Sequence, residues 1–242
     1  MINRFCFKIA AVLLAFSSTL LTSSIKAEDP PEISWTSLLG SSGNSSNTLG
    51  FDLSISNDGF IYIGGDAAGD VADQLLNGVN LDGLAAKFTS DGEFVWARLI
   101  GGTEAEYVSG VVTDSQGNVY FSGSTLSSDF DSGTEGSWDG FISKYDSEGN
   151  EIDTVLIGTS YIDEISGLDI FSDDSLYIIG LTKGSEFPDG PVLQSESFSR
   201  NAFLTKLDSS LNVTWTRIIS TSEDEEALAV KVSSQGEILV TG

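Results

Sequence analysis

One loop sequence rich in oxygen ligands is D-F-D-S-G-T-E-G-S-W-D-G, beginning at Asp129. Asp129, Asp131 and Glu135 stand close together there among small residues, and a flexible loop rich in carboxylates suits calcium. The EF-hand spacing is not met, because the position for the loop glycine holds Thr134 and the position for the final acid holds Gly140. Glu223–Glu226, read E-D-E-E, is a second acidic cluster without ligand spacing. Carboxylates on exposed loops need no partner, so the plain alternative for both clusters is a solvated acidic surface. No cofactor is expected other than calcium at the first cluster.

Other chemistries are excluded by missing residue types. The chain has no histidine, and its one cysteine, Cys6, lies near the N-terminus. That removes Ser-His-Asp and Cys-His nucleophile pairs, histidine general bases and zinc sites built on nitrogen or sulfur. Two carboxylates alone can hydrolyse a glycoside, but with 36 acids in the chain no particular pair stands out. No residue is assigned a catalytic role.

Residues 1–27 read as a secretory signal peptide. Arg4 and Lys8 precede an apolar run from Ile9 to Leu21, and Ile25-Lys26-Ala27 offers a cleavage site before Glu28. The apolar run is short and interrupted by serines, so an uncleaved anchor is the lesser reading, and no later stretch is long enough for a membrane span. A secreted location, extracellular or periplasmic and of bacterial type, follows as the expectation. Cleavage removes three bases and no acid, leaving eight bases against 36 acids and a net charge of −28. Such a charge repels nucleic acid and anionic membrane surfaces. The mature part has no cysteine for a disulfide, so packing and strand pairing must supply its stability.

The elements that would position any site follow from an internal repeat of about sixty residues. The phrases SWTSLLG, VWARLIG, DTVLIGT and TWTRIIS put Trp35, Trp96, Asp153 and Trp215 at one position. A turn position holds Gly59, Gly117, Asp174 and Gly236, and six residues on stand Gly65, Gly123, Gly180 and Gly242. Lys87, Lys144 and Lys206 form a third register. Each unit breaks into four short alternating runs separated by Gly- or Asn-bearing turns, which is strand chemistry. The expected fold is an all-β propeller of four-stranded antiparallel blades. The expected units span approximately residues 50–100, 107–158 and 165–219, with a partial unit at 226–242 and a leading outer strand at 33–39.

The phrases GFISKYDSEGNEI, WARLIGG and SGVVTDSQGNVYFSG resemble the beta-propeller repeat family called SBBP, after seven-bladed propellers. The resemblance extends over nearly the whole mature chain and implies an architecture rather than an activity. Three and a half blades fall short of a closed ring and leave an exposed edge, so the chain is expected to be a fragment, with further blades beyond residue 242.

Strand parity assigns the long segments to one end of the blades. Loops between strands two and three, and the links between blades, hold 19 of the 36 acids and only two bases, Lys183 and Arg200. The repeated tryptophans and lysines are expected to serve the blades, the tryptophans by packing and the lysines by pairing with acids such as Asp82 or Asp139. Residues that break the repeat on the acidic face, Trp138, Tyr161, Arg200 and the loop Phe187-Pro188-Asp189, are the candidates for contact with a ligand. The expected function is a non-catalytic binding or scaffold module for a protein or carbohydrate partner. The alternative is a carboxylate-based hydrolase or lyase, with or without calcium, acting on polysaccharide or lactone.

Overall fold

The computed structural model describes residues 36–37, 39–42, 47–76, 81–130, 137–184 and 199–242. Every regular element among them is a strand. The first blade is the antiparallel sheet β2 (Thr48–Ile55), β3 (Ile61–Ala67), β5 (Asp82–Phe88) and β6 (Phe94–Ile100), with two short strands, β1 (Ser41–Ser42) and β4 (Asp70–Val71), paired beside it. The second is β7 (Glu106–Thr113), β8 (Val119–Thr125), β9 (Asp139–Tyr145) and β10 (Glu151–Ile157). The third is β11 (Asp163–Ile170), β12 (Leu176–Thr182), β13 (Asn201–Leu207) and β14 (Val213–Ile219). A two-stranded sheet of β15 (Ala229–Val232) and β16 (Ile238–Thr241) follows. Each four-stranded sheet is a meander, and β2, β7, β11 and β15, the first strand of each unit, pack in succession against one another. That is the inner-strand arrangement of a propeller.

The turns between strands are built on side-chain caps. Asp114 Oδ1 accepts from the backbone N–H of Gln116 and Asn118, and Asp146 Oδ1 does the same for Glu148 and Asn150. The following Gly117 and Gly149 take φ of 86° and 79°, a region open to glycine at little cost.

The repeated glycine of the second strand has a different cause. The inner strand of each blade carries a bulge, between Gly50 and Asp52, Val108 and Gly110, and Ile165 and Gly167. The bulge presses a carbonyl onto the neighbouring strand, where a Cβ on Gly65, Gly123, Gly180 or Gly242 would fall on the oxygen of Leu49, Tyr107, Glu164 or Glu226.

The core lies between blades. Tyr62 and Trp96 of the first meet Val108, Val111 and Phe121 of the second, and Tyr120 and Ile142 meet Ile165, Leu168 and Ile178 of the third. Of the leading outer strand expected at residues 33–39, only residues 36, 37 and 39 are described. Thr36, Ser37 and Leu39 lie in no strand, and Leu39 packs instead as a half-buried side chain against the first blade's cluster around Leu84. The rest of that segment, and residues 1–27, expected to be a signal peptide, lie outside the described residues.

The repeated lysines do not pair as expected. Lys87 and Asp82 occupy opposite ends of β5, five residues apart, which at the rise of a strand is roughly 16 Å. Lys87 Nζ donates instead to the Ser147 carbonyl of the next blade at 2.7 Å, lying 3.9 Å from the centre of the Phe60 ring. Lys144 Nζ repeats this with the Ser209 carbonyl at 2.9 Å. Trp96 Nε1 joins Lys87 on Ser147, so this tryptophan packs between blades, whereas Trp35 lies outside the described residues.

Candidate functional site

The loops between strands two and three and the links between blades gather at one end of the sheets. The carbonyls of Leu81, Trp138 and Arg200, each just before a third strand, accept from the N–H of Glu106, Asp163 and Glu225 on the following unit. These bonds make Leu81, Trp138 and Arg200 equivalent. The bulge carbonyls make Leu49, Tyr107, Glu164 and Glu226 equivalent in the same way. Each junction thus brings one residue of the first set beside one of the second.

Between the second and third blades this arrangement forms an open cavity of about 340 Å³. Tyr107, Ser109, Ser124, Trp138, Glu164 and Ser166 contribute to its wall. The Tyr107 and Trp138 rings lie 5.4 Å apart, tilted by 42°, with Trp138 half-buried and Tyr107 exposed. Ser109 and Ser124 are held by the bulge, since Ser109 Oγ donates to the Ile165 carbonyl at 2.6 Å and Ser124 Oγ accepts from the Ile165 N–H. Burial pushes the Glu164 carboxyl above its ordinary range, and the nearby Glu226 pushes it further, against the opposing pull of Arg200 and Lys183. Two aromatic faces, several hydroxyls and one carboxylate therefore converge on one concavity, the usual composition of a small-ligand site.

The next junction is closed by an ion pair. Arg200 Nη1 lies 3.4 Å from Glu226 Oε2, and its Nε lies 3.3 Å from Asp224 Oδ2. Of the expected ligand-face residues, Trp138 enters the cavity and Arg200 is drawn into this pair. Tyr161 stands apart, exposed, with its N–H bound to Thr159 Oγ1. The Phe187-Pro188-Asp189 loop lies outside the described residues. Tyr107, Glu164 and the serines were not anticipated. Their signal was a change of residue type at one inner-strand position, which holds Leu49, Tyr107, Glu164 and Glu226 in successive units.

Of the calcium candidates, Asp129 is exposed and accepts from both the N–H and the hydroxyl of Thr103 at 3.0 Å, which lowers its carboxyl below the usual range. Asp131 and Glu135 lie outside the described residues. Among the described residues no three metal-ligating side chains come together.

Acids are also enclosed at the blade junctions. A Cβ on Gly101 would meet both Glu106 and Asp82, and one on Gly158 would meet both Asp139 and Asp163. All four acids are at most 2% exposed. Glu106 accepts from the hydroxyls of Thr125 and Ser127 and from the Gly102 N–H, and Asp163 accepts from the N–H and hydroxyl of Thr159. Burial raises both carboxyls nonetheless. Asp66, which accepts from the Val108 N–H across the same junction as Glu106, is pushed up to about 6 by burial. These groups fasten one blade to the next.

Comparison with known proteins agrees with the repeat. Residues 95–131 match the model of the SBBP beta-propeller repeat, from the outer strand of the first blade through the first two strands of the second. A protein of unknown function from Bacteroides caccae aligns over 80% of this chain at 9% identity, with a TM-score of 0.45. This chain spans 53% of that protein's length. The Pan2 WD40 domain of Neurospora crassa aligns over 78% of this chain and 84% of its own, at 10% identity and a TM-score of 0.27. No curated protein matches the sequence.

Proposed function

We propose that this β-propeller repeat protein is an exported, non-catalytic binding module that takes its ligand in the cavity between the second and third blades. The observation that carries the reading is the meeting of Tyr107, Trp138 and Glu164 around that cavity, at two positions whose residue type varies among the units. Residues that serve every blade keep their type, as the glycines of the bulge do. Residues that serve one concavity need not.

The lack of histidine in the chain and of cysteine after residue 27 supports a role without histidine- or cysteine-dependent catalysis. The close carboxyl pairs also argue against hydrolysis, because they are enclosed between blades and not open to a polymer. The basic, apolar and cleavage-site pattern of residues 1–27 supports export. N-terminal sequencing of the protein isolated from its native cells should begin at or close to Glu28, and an intact N-terminus would overturn export by cleavage.

A panel of neutral, acidic and amino sugars and capped amino acids, titrated into isotope-labelled protein, tests the site by nuclear magnetic resonance. The reading requires saturable shifts of the Trp138 indole that vanish in Trp138→Ala while the remaining spectrum stays native. Shifts clustered elsewhere, or none with any compound, would overturn it.

A further inference from the structure

The repeat itself indicates what the carboxylate at the Glu164 position accepts. At the following junction the equivalent carboxylate, Glu226, holds the guanidinium of Arg200, which comes from the position just before the third strand. At the Glu164 junction that position holds Trp138, and a cavity of about 340 Å³ stands beside it. Among the described residues no ion pair engages Glu164.

From this equivalence we infer that the cavity receives the guanidinium of an arginine presented by a basic protein partner, stacked on Trp138 and Tyr107 and hydrogen-bonded to Glu164. The inference rests on the reading of this cavity as the ligand site. Guanidinium is planar and weakly hydrated, so it stacks on aromatic faces and forms a fork with a carboxylate at the same time. Bound there, the cation would add to the pull of Arg200 and Lys183 on Glu164, against burial and the nearby Glu226. Ser124 and Ser166 add hydroxyls to the wall for the partner's backbone or side-chain amides.

Charge points the same way. The chain carries a net −25, and its loop end is far richer in acids than in bases, so the field draws basic partners and repels polyanions. A neutral sugar would use the aromatic faces but would leave the carboxylate field unused.

The test uses N-acetyl-arginine amide, its neutral isostere N-acetyl-citrulline amide, and glucosamine, each titrated into the full chain and followed at the Trp138 indole. Arginine should bind about tenfold or more tightly than citrulline, because a charged donor to carboxylate is the stronger bond. That margin should shrink with added salt and disappear in Glu164→Gln, whose spectrum should stay native. Equal binding of arginine and citrulline, or an arginine preference that survives Glu164→Gln, overturns the inference. Tighter binding of glucosamine than of arginine also overturns it, in favour of a cationic glycan. Binding of neutral sugars at Trp138 without arginine would leave the binding-module reading standing and remove only the guanidinium. Silence from every probe would remove both.

Discussion

Asp139 of the second blade and Asp163 of the third bring their carboxyl groups to the same point beside Gly158. Asp82 and Glu106 do so one junction earlier, beside Gly101. Burial raises the Asp163 and Glu106 carboxyls, and Asp82 raises Glu106 further by its charge. The junctions therefore give the fold a dependence on pH that its surface acids would not predict.

Stability should fall as pH rises out of the ordinary carboxylate range through about 6, the value to which Asp66 is raised. Glu106 and Asp163 are raised as well. Across that window the folded state binds more protons than the unfolded one, so the slope of stability with pH is negative. The exposed turn acids Asp146 and Asp208 are lowered, and their contribution is lost instead as pH falls below the ordinary range. Urea midpoints should thus peak at about pH 4. A maximum at pH 8 would contradict the assignment.

Asp163→Asn should stabilise the protein at pH 8 by roughly 1–2 kcal/mol and change little at pH 4.5. The amide can donate toward Asp139, and the Thr159 hydroxyl and N–H keep an oxygen to donate to. The third blade already carries such a change, since Asn201 stands opposite Thr182 where Asp139 stands opposite Thr125. Urea denaturation at the two pH values distinguishes relief of charge from a general packing effect.

Gly180→Ala should cost roughly 3–4 kcal/mol, because its Cβ would fall on the Glu164 carbonyl, which is backbone and does not yield. Gly167→Ala, in the same pair of strands, meets Ile179 side-chain carbons at 3.4 Å and the Leu228 carbonyl oxygen at 3.7 Å, ordinary contact distances, and should cost less than about 1 kcal/mol. Equal costs would show that the bulge relaxes and that the repeated glycine has another cause.

The repeat, its antiparallel strands and its turns were legible in the sequence because each has a local signature. Alternation marks a strand, and Asp114 through Asn118 spell a capped turn within five residues. What joins the blades was not legible. Lys87 reaches Ser147, sixty residues away, and nothing near Lys87 in sequence names that carbonyl. Asp82 looked the better partner because it is close in the chain, but a strand carries five residues from one end of the blade to the other. The candidate site was legible in Trp138 alone. Tyr107 and Glu164 occupy an inner-strand position that reads as ordinary variation until the bulge carbonyls bring the blades into register.

Lys87→Met should destabilise by roughly 1–3 kcal/mol, measured by urea denaturation, since it removes the charged one of two donors to a part-buried carbonyl. Lys206→Met should cost less. Lys206 is only half-buried over the Tyr177 ring, and a cation on an aromatic face at the edge of solvent contributes less than one enclosed between blades.

Trp138→Arg converts the second junction into a copy of the third. The new guanidinium would leave from the position of Arg200 and reach Glu164 as Arg200 reaches Glu226. Stability should change by no more than about 1 kcal/mol, because the third-junction pair it imitates is a partly exposed ion pair. N-acetyl-arginine amide should no longer bind, even though the net charge of the face changes by only one. Titration followed at the Ser124 and Glu164 backbone amides checks this without the indole. Loss of binding together with a native spectrum means that the internal cation occupies the place of the external one. Retained binding would mean that the two junctions, though equivalent in backbone, do not recognise the same group.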